Sequence, residues 1–241
     1  VAFMARGPVV GLDWSSARES MASLAYNERI AVPKQLHAIE RLRTLVAKKF
    51  GYEKESVINY GLAPEQGEMQ KSVFFFHGTT WNSKHWPDEF WLELAELCDQ
   101  AGYIVRLPFL GDVEKARAEV IANQIAGAEL FTAKSLAELG QSLAQASGAV
   151  AVDTGLGHFA AALNVPLVGL YGPTSAVLTG VDGPQQISLA DTSMPCAPCV
   201  RPACQFEPAD NQGGVFPPCF QALTPEFVFR ELASQIEGSA G

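Results

Sequence analysis

A chain of 241 residues, 48% apolar and 18% charged, has enough material for one large cored domain or two small ones, which excludes a disordered segment. No apolar run approaches the ~20 residues of a membrane-spanning helix and no signal-peptide pattern opens the chain, so a cytoplasmic address is expected. The net charge of −9 argues against general nucleic-acid binding.

The charge is uneven. Residues 1–60 carry nine Lys/Arg against six Asp/Glu, whereas residues 61–241 carry eight against twenty. The basic opening suits an anionic ligand or surface nearby, or simply a solvated helix of mixed charge. The chain starts at Val1 within Val1-Ala2-Phe3-Met4, which reads as a segment of something longer.

Residues 15–50 are predicted helical. Ser15-Ser16 would cap a first helix running to Ala25, and Lys34–Phe50 would form a second, ended by Gly51. In the second, Leu36, Ile39, Leu42, Leu45 and Val46 share one face and leave Lys34, Arg41 and Lys48 on another. Residues 53–71, polar with Gly and Pro, read as a linker.

From residue 73 strand and helix alternate. Val73–Phe76 is a buried strand, and Pro87 opens a helix over 88–100 with Gly102 just past its end. Tyr103–Leu107 is a strand, 112–125 a helix, and Glu129–Phe131 a short strand. Ser135 and Glu138 form a capping box for a helix reaching Ala146. Strand 149–152, helix 156–163 and strand 167–171 complete the series. Such repetition means a parallel sheet covered on both faces. The expected organisation is an N-terminal remnant and linker (1–71), a Rossmann-like nucleotide-binding domain (72–190), and a Cys/Pro-rich tail with a C-terminal helix (191–241). There is no internal repeat.

Three loops follow strand ends and should meet on one edge of the sheet. In the first, Thr79, Thr80 and Lys84 offer hydroxyls and an ammonium for phosphates. The second, Phe109–Glu114, offers carboxylates that suit ribose hydroxyls. The third, Asp153-Thr154-Gly155-Leu156-Gly157-His158, leaves a buried strand and enters a helix whose first N–H groups favour an anion. Each alone equally fits an ordinary solvated loop or a plain strand–turn–helix. Together they describe pockets for diphosphate, ribose and base. Neither GxxxxGK[ST] nor GxGxxG occurs, which disfavours nucleotide hydrolases and dehydrogenases.

His77-Gly78-Thr79-Thr80, Lys84-His85-Trp86-Pro87, the Asp153–His158 turn and Tyr171-Gly172-Pro173-Thr174 resemble the bacterial ADP-heptose:lipopolysaccharide heptosyltransferases. The likeness continues through Asp13-Trp14, Ala17-Arg18-Glu19, Lys34-Gln35, His37-Ala38 and Glu40-Arg41. It covers nearly the whole chain apart from the Cys-rich tail. It is strongest to the subgroup that adds the first heptose to Kdo-lipid A.

The resemblance implies an α/β fold of GT-B type, with the donor held by the C-terminal Rossmann-like domain. Thr79, Thr80 and Lys84 would contact the donor phosphates, Glu114 the ribose, and the main chain near Lys134 the adenine. Asp153, Thr154, Gly155 and His158 would line the diphosphate and heptose. Arg18 would face the acidic Kdo acceptor, with Arg41 and Arg43 as further candidates. The implied reaction is inverting heptose transfer from ADP-heptose at the cytoplasmic face of the inner membrane, without a required cofactor. Its general base would be an Asp of an N-terminal Gly-rich loop that this chain does not show, so the catalytic residue is unassigned and the chain is expected to be inactive alone. A related transferase with another acceptor, such as heptosyltransferase II, and a non-catalytic nucleotide-sugar-binding fragment remain the alternatives.

The tail carries Cys196-x2-Cys199-x4-Cys204-x14-Cys219 among prolines. Three readings stand: reduced thiols in a packed tail, a structural zinc held by the four thiolates, or disulfides, which a cytoplasmic address disfavours. Cys98 falls in a helix as a core residue.

Overall fold

Val73, Phe74, Phe75 and Phe76 are all buried, as a strand covered on both faces requires. In the computed structural model they belong to β3 (Gln70–Phe76), the centre of a six-stranded sheet. The structure describes residues 6–56, 58–65, 67–207 and 214–239. The start of the chain at Val1–Ala5, residues 57 and 66 of the expected linker, residues 208–213 of the tail and 240–241 lie outside them.

The chain divides into two compact units: the residues up to Ile58 with Val177–Thr179, and the remainder. The larger unit contains β3, α2 (Asp88–Gln100), β4 (Ile104–Pro108), α3 (Gly111–Gln124), β5 (Ala128–Phe131), α4 (Leu136–Ala144), β6 (Ala146–Val152), α5 (Gly155–Ala162) and β7 (Leu167–Tyr171). After β7 come α6 (Ala176–Thr179), whose last three residues group with the smaller unit, and β8 (Gln186–Ala190), and α7 (Pro225–Ser239) ends the larger unit. Every strand pair is parallel, in the order β5-β4-β3-β6-β7-β8. The chain runs outward from β3 to β5 and then returns to place β6 on the other side of β3. This is the doubly wound dinucleotide-fold order, and its reversal between β3 and β6 opens a crevice at the carboxyl ends of those strands.

Two cores hold the sheet. On one face Val73, Phe75, Val150, Val152, Val168 and Leu170 pack with Trp91, Leu94 and Cys98 of α2, Ile121 of α3, and Val228 and Leu232 of α7. On the other, Phe74, Phe76, Ala149, Ala151 and Leu167 meet Leu139 and Leu143 of α4 and Ala160 of α5. Gly157 lets α5 settle on β6, since a Cβ there would come within 2.9 Å of Ala151 Cβ.

In the larger unit two of the punctuation signals coincide with the structure, though the helix expected to reach Ala146 ends at Ala144 and Ala146 opens β6. Ser135 caps α4 by accepting from the Glu138 N–H at 3.2 Å, and Gly102 takes φ +76 after α2. The C-terminal segment is woven into the sheet's core rather than standing apart. Phe220 and Leu223 are buried with α7, and the Leu223 carbonyl accepts Trp86 Nε1 at 3.0 Å. β8 was not expected from the sequence.

The smaller unit departs further from expectation. Its first predicted helix is only a 3₁₀ segment, Ser20–Ala25, and the second, α1 (Ala38–Phe50), begins four residues after Lys34. Gly51 ends α1 in the left-handed conformation, φ 70. Two three-residue strands, β1 (Val10–Leu12) and β2 (Glu28–Ile30), pair in parallel beside it. Of the apolar face expected on α1, Leu42 and Val46 are exposed.

Candidate functional site

The crevice between β3 and β6 holds a cavity of about 870 Å³, bounded by the loops after β3, β4, β5 and β6. Of the expected donor residues, Thr79, Thr80, Lys84, Glu114, Lys134, Asp153, Thr154, Gly155 and His158 all line it. Three loops and a fourth segment, far apart in sequence, therefore share one space.

At its centre Lys84 Nζ pairs with Asp153 Oδ2 at 2.8 Å, both side chains being largely buried. The Lys84 ammonium also lies over the Trp81 ring, 4.5 Å from its centroid. The Thr174 hydroxyl donates to the same Asp153 oxygen at 2.7 Å, and Thr79 Oγ1 donates to the Asp153 carbonyl at 3.3 Å. Behind Asp153, Thr154 is the N-cap residue of α5 but makes no side-chain capping bond. A Cβ at Gly155 would meet nothing within 4 Å, so this helix start opens on free space. Uncapped N–H groups, the helix dipole and a lysine make a site for an anion.

Glu114 sits one turn into α3 and accepts the Leu110 N–H at 2.7 Å, which fixes its carboxylate at the cavity edge. Gly78 explains itself here, because a Cβ at that position would overlap the Glu114 carboxylate. Farther along, Glu138 Oε2 accepts the Lys134 N–H at 2.8 Å, one residue before the Ser135 N–H that a capping box would use, so only the Ser135 half of the expected box forms. Phe76, Phe131, Leu136, Leu139 and Phe159 give this end of the cavity apolar walls suited to a planar base.

A second layer holds the loop after β3. Arg117 of α3 bonds Asp88 Oδ1 through Nε at 2.6 Å, and its Nη1 reaches His85 Nδ1 at 3.2 Å and the His77 carbonyl at 3.4 Å. Burial, reinforced by the Arg117 charge, holds His77 at a pKa of about 4, and the same causes lower that of His85. Both rings are therefore neutral at pH 7. From the tail, the Arg201 and Pro202 carbonyls accept the Ser83 hydroxyl at 2.5 Å and the Ser83 N–H at 3.1 Å. Val200 N–H bonds the Pro173 carbonyl at 2.8 Å. The tail thus clasps two loops of the site. The sequence showed Thr174 only as the end of a tetrapeptide, and gave no signal for Arg117 or the tail contacts.

All five cysteines are free thiols, so the disulfide reading is corrected. Burial, with the neighbouring Cys204, Cys199 and Cys196 thiols, pushes Cys219 up to about 12. Among the described residues no group of three or more His, Cys, Asp or Glu is arranged to hold a metal ion. The four cysteines as placed do not fit the zinc reading. Cys219 is instead packed with Phe220 beneath Gly172, where a Cβ would come within 2.7 Å of each.

In the smaller unit Arg18 is exposed. Arg41 Nη2 donates to the Ser16 carbonyl at 2.5 Å, and Arg43 binds Glu40 and the Glu55 carbonyl, each at 2.6 Å. Arg41 and Arg43 are thus engaged within the unit. Asp13 accepts Ser15 Oγ at 2.9 Å and Ser16 N–H at 2.7 Å, bonds that cap a turn and lower its pKa.

A doubly wound sheet with a lysine and an uncapped helix start, a fixed carboxylate and an apolar slot at its switch point is the architecture of a nucleotide-binding domain. Residues 1–210 match the family model described as glycosyltransferase family 9 (heptosyltransferase), and the chain belongs to that family. It is 40% identical to the lipopolysaccharide heptosyltransferase 1 of Pseudomonas aeruginosa, over 97% of this chain and 69% of that protein. Its fold is similar to the Escherichia coli heptosyltransferase WaaC solved with ADP, with a TM-score of 0.67 and 38% identity, covering 74% of this chain and 58% of that one. The same enzyme solved with ADP-2-deoxy-2-fluoro heptose gives a TM-score of 0.68 and 37% identity, covering 78% and 60%. The chain thus spans 58–69% of the length of these relatives. Among the described residues no helix is long and apolar enough to cross a membrane.

Proposed function

We propose that this chain carries the donor site of a lipopolysaccharide heptosyltransferase that moves heptose from ADP-heptose to Kdo-lipid A. The observation that supports it most is the Lys84–Asp153 pair at the uncapped start of α5, inside a cavity that also presents Glu114. Lys84 and α5 meet the diphosphate, Thr79 and Thr80 add hydroxyl donors, and Glu114 takes the ribose hydroxyls. The Lys134 N–H is already used by Glu138, so its carbonyl is the backbone group left for the adenine amine. Asp153, Thr154, Gly155 and His158 surround the sugar.

Chemically, the acceptor hydroxyl attacks the anomeric carbon as the ADP oxygen departs. Charge grows on the diphosphate in that step, and a fixed ammonium with a helix N-terminus stabilises it. The attacking hydroxyl must lose its proton to a base. We assign that role to none of the carboxylates described: Asp13 caps a turn, Asp153 is paired, and Glu114 holds Leu110. Arg18 is the exposed guanidinium suited to the acidic acceptor sugar. An acceptor embedded in a bilayer places the enzyme at the cytoplasmic face of the inner membrane as a peripheral protein.

The test is transfer from ADP-heptose by the full reading frame, with Kdo-lipid A and heptosyl-Kdo-lipid A offered separately. Preference for Kdo-lipid A supports the reading. Preference for the heptosylated acceptor would assign a later transfer step.

A further inference from the structure

The proposed donor site leaves the last residue of Tyr171-Gly172-Pro173-Thr174 unused. Its hydroxyl donates to Asp153 Oδ2 at 2.7 Å, and that same oxygen accepts Lys84 Nζ at 2.8 Å. The Asp153 side chain is 12% exposed and that of Lys84 16%, so water solvates neither charge well. The two donors differ in mobility. Lys84 reaches Asp153 on a flexible four-carbon stem. Thr174 follows a backbone fixed on one side by the Val200–Pro173 bond and below by the packing of Gly172 on Cys219 and Phe220.

A diphosphate arriving at α5 competes with Asp153 for the Lys84 ammonium. A carboxylate that loses its only partner in a poorly solvated site is costly, so a second, fixed donor lowers the cost of the exchange. Resting on the nucleotide-sugar reading above, we infer that Thr174 is a positioning residue that holds the Asp153 carboxylate while Lys84 turns toward the donor's diphosphate. Thr174 touches no phosphate in this account. It acts through Asp153.

The experiment is calorimetric titration of the chain with ADP and with adenosine, unaltered and as Thr174→Val, Thr174→Ser, Asp153→Asn and the Thr174→Val/Asp153→Asn double variant. Thr174→Val should weaken ADP about ten-fold and leave adenosine within roughly two-fold, because adenosine draws no charge from Lys84. Thr174→Ser should restore ADP binding. With Asp153→Asn there is no carboxylate to hold, so adding Thr174→Val should change ADP affinity by less than roughly two-fold. An equal loss in both backgrounds, equal losses for ADP and adenosine, or unchanged ADP affinity in Thr174→Val would overturn the inference. Thr174→Ala, read the same way, decides the matter if the valine variant does not fold. Should the unaltered chain bind neither ligand, the nucleotide site itself fails and takes this inference with it. ADP binding with no Thr174 effect removes the inference alone.

Discussion

Gly78 and Glu114 meet across the mouth of the crevice so closely that a methyl group on residue 78 would overlap the Glu114 carboxylate. One belongs to the loop after β3, the other to the first turn of α3, and the Leu110 N–H holds the carboxylate against the glycine. Gly78→Ala should therefore displace Glu114 and imitate Glu114→Gln. Both variants should weaken adenosine and ADP alike, since both ligands carry the ribose, on the order of ten-fold for one lost charge-assisted bond. A Gly78→Ala protein with unaltered adenosine affinity would show that Glu114 does not serve the ribose.

Lys84→Ala should show the contrasting pattern. The ammonium serves the diphosphate, so ADP should lose about 1.5–3 kcal/mol of binding while adenosine changes little. Titration of both ligands against the variant decides between this and a structural role, for which the two losses would match.

The neutral histidines behind the site predict a pH dependence of stability. His77 falls from its ordinary value to about 4 on folding, chiefly through burial, and His85 shifts in the same direction. Between pH 6.5 and 4 the unfolded chain binds more protons than the folded one, so stability is complete above that window and is lost as pH falls through it. The His77 contribution is on the order of 3 kcal/mol. Urea unfolding at steps across the window should show it, and His77→Met should flatten the slope. A slope unchanged by that variant would place the titration elsewhere.

Much of this architecture is legible in the sequence, and the illegible parts share a cause. The run Val73–Phe76, the Pro87–Gly102 boundaries and the Ser135/Glu138 box are local signals, and each locates its element. The Asp153–His158 turn does the same for the start of α5. β1 and β2, three residues each, carry too short a pattern to register, and they exist through pairing with one another. β8 is likewise fixed by its ladder to β7 rather than by periodicity. Thr174, Arg117 and Ser83 matter through partners that lie 21, 29–40 and 118 residues away, which no local pattern reports.

The cysteines separate by environment. Cys98 and Cys219 are buried, and burial pushes both thiols up to about 12, so neither should react in the native protein. Cys196 is exposed, and Cys199 and Cys204 are half-buried. A thiol-specific dye should therefore modify three groups natively and the other two only in denaturant. Protection of all four tail cysteines, relieved by a chelator with release of metal, would restore the zinc reading that this geometry does not fit.

One calorimetric comparison decides whether the crevice between β3 and β6 binds a nucleoside diphosphate with adenine as its base. The 241-residue chain is titrated in parallel with ADP, UDP and GDP. ADP should bind in clear preference to the other two, and Lys84→Ala should weaken that binding. Equal affinity for the three nucleotides, or no binding of any at millimolar concentration, would contradict adenine-nucleotide binding in the crevice.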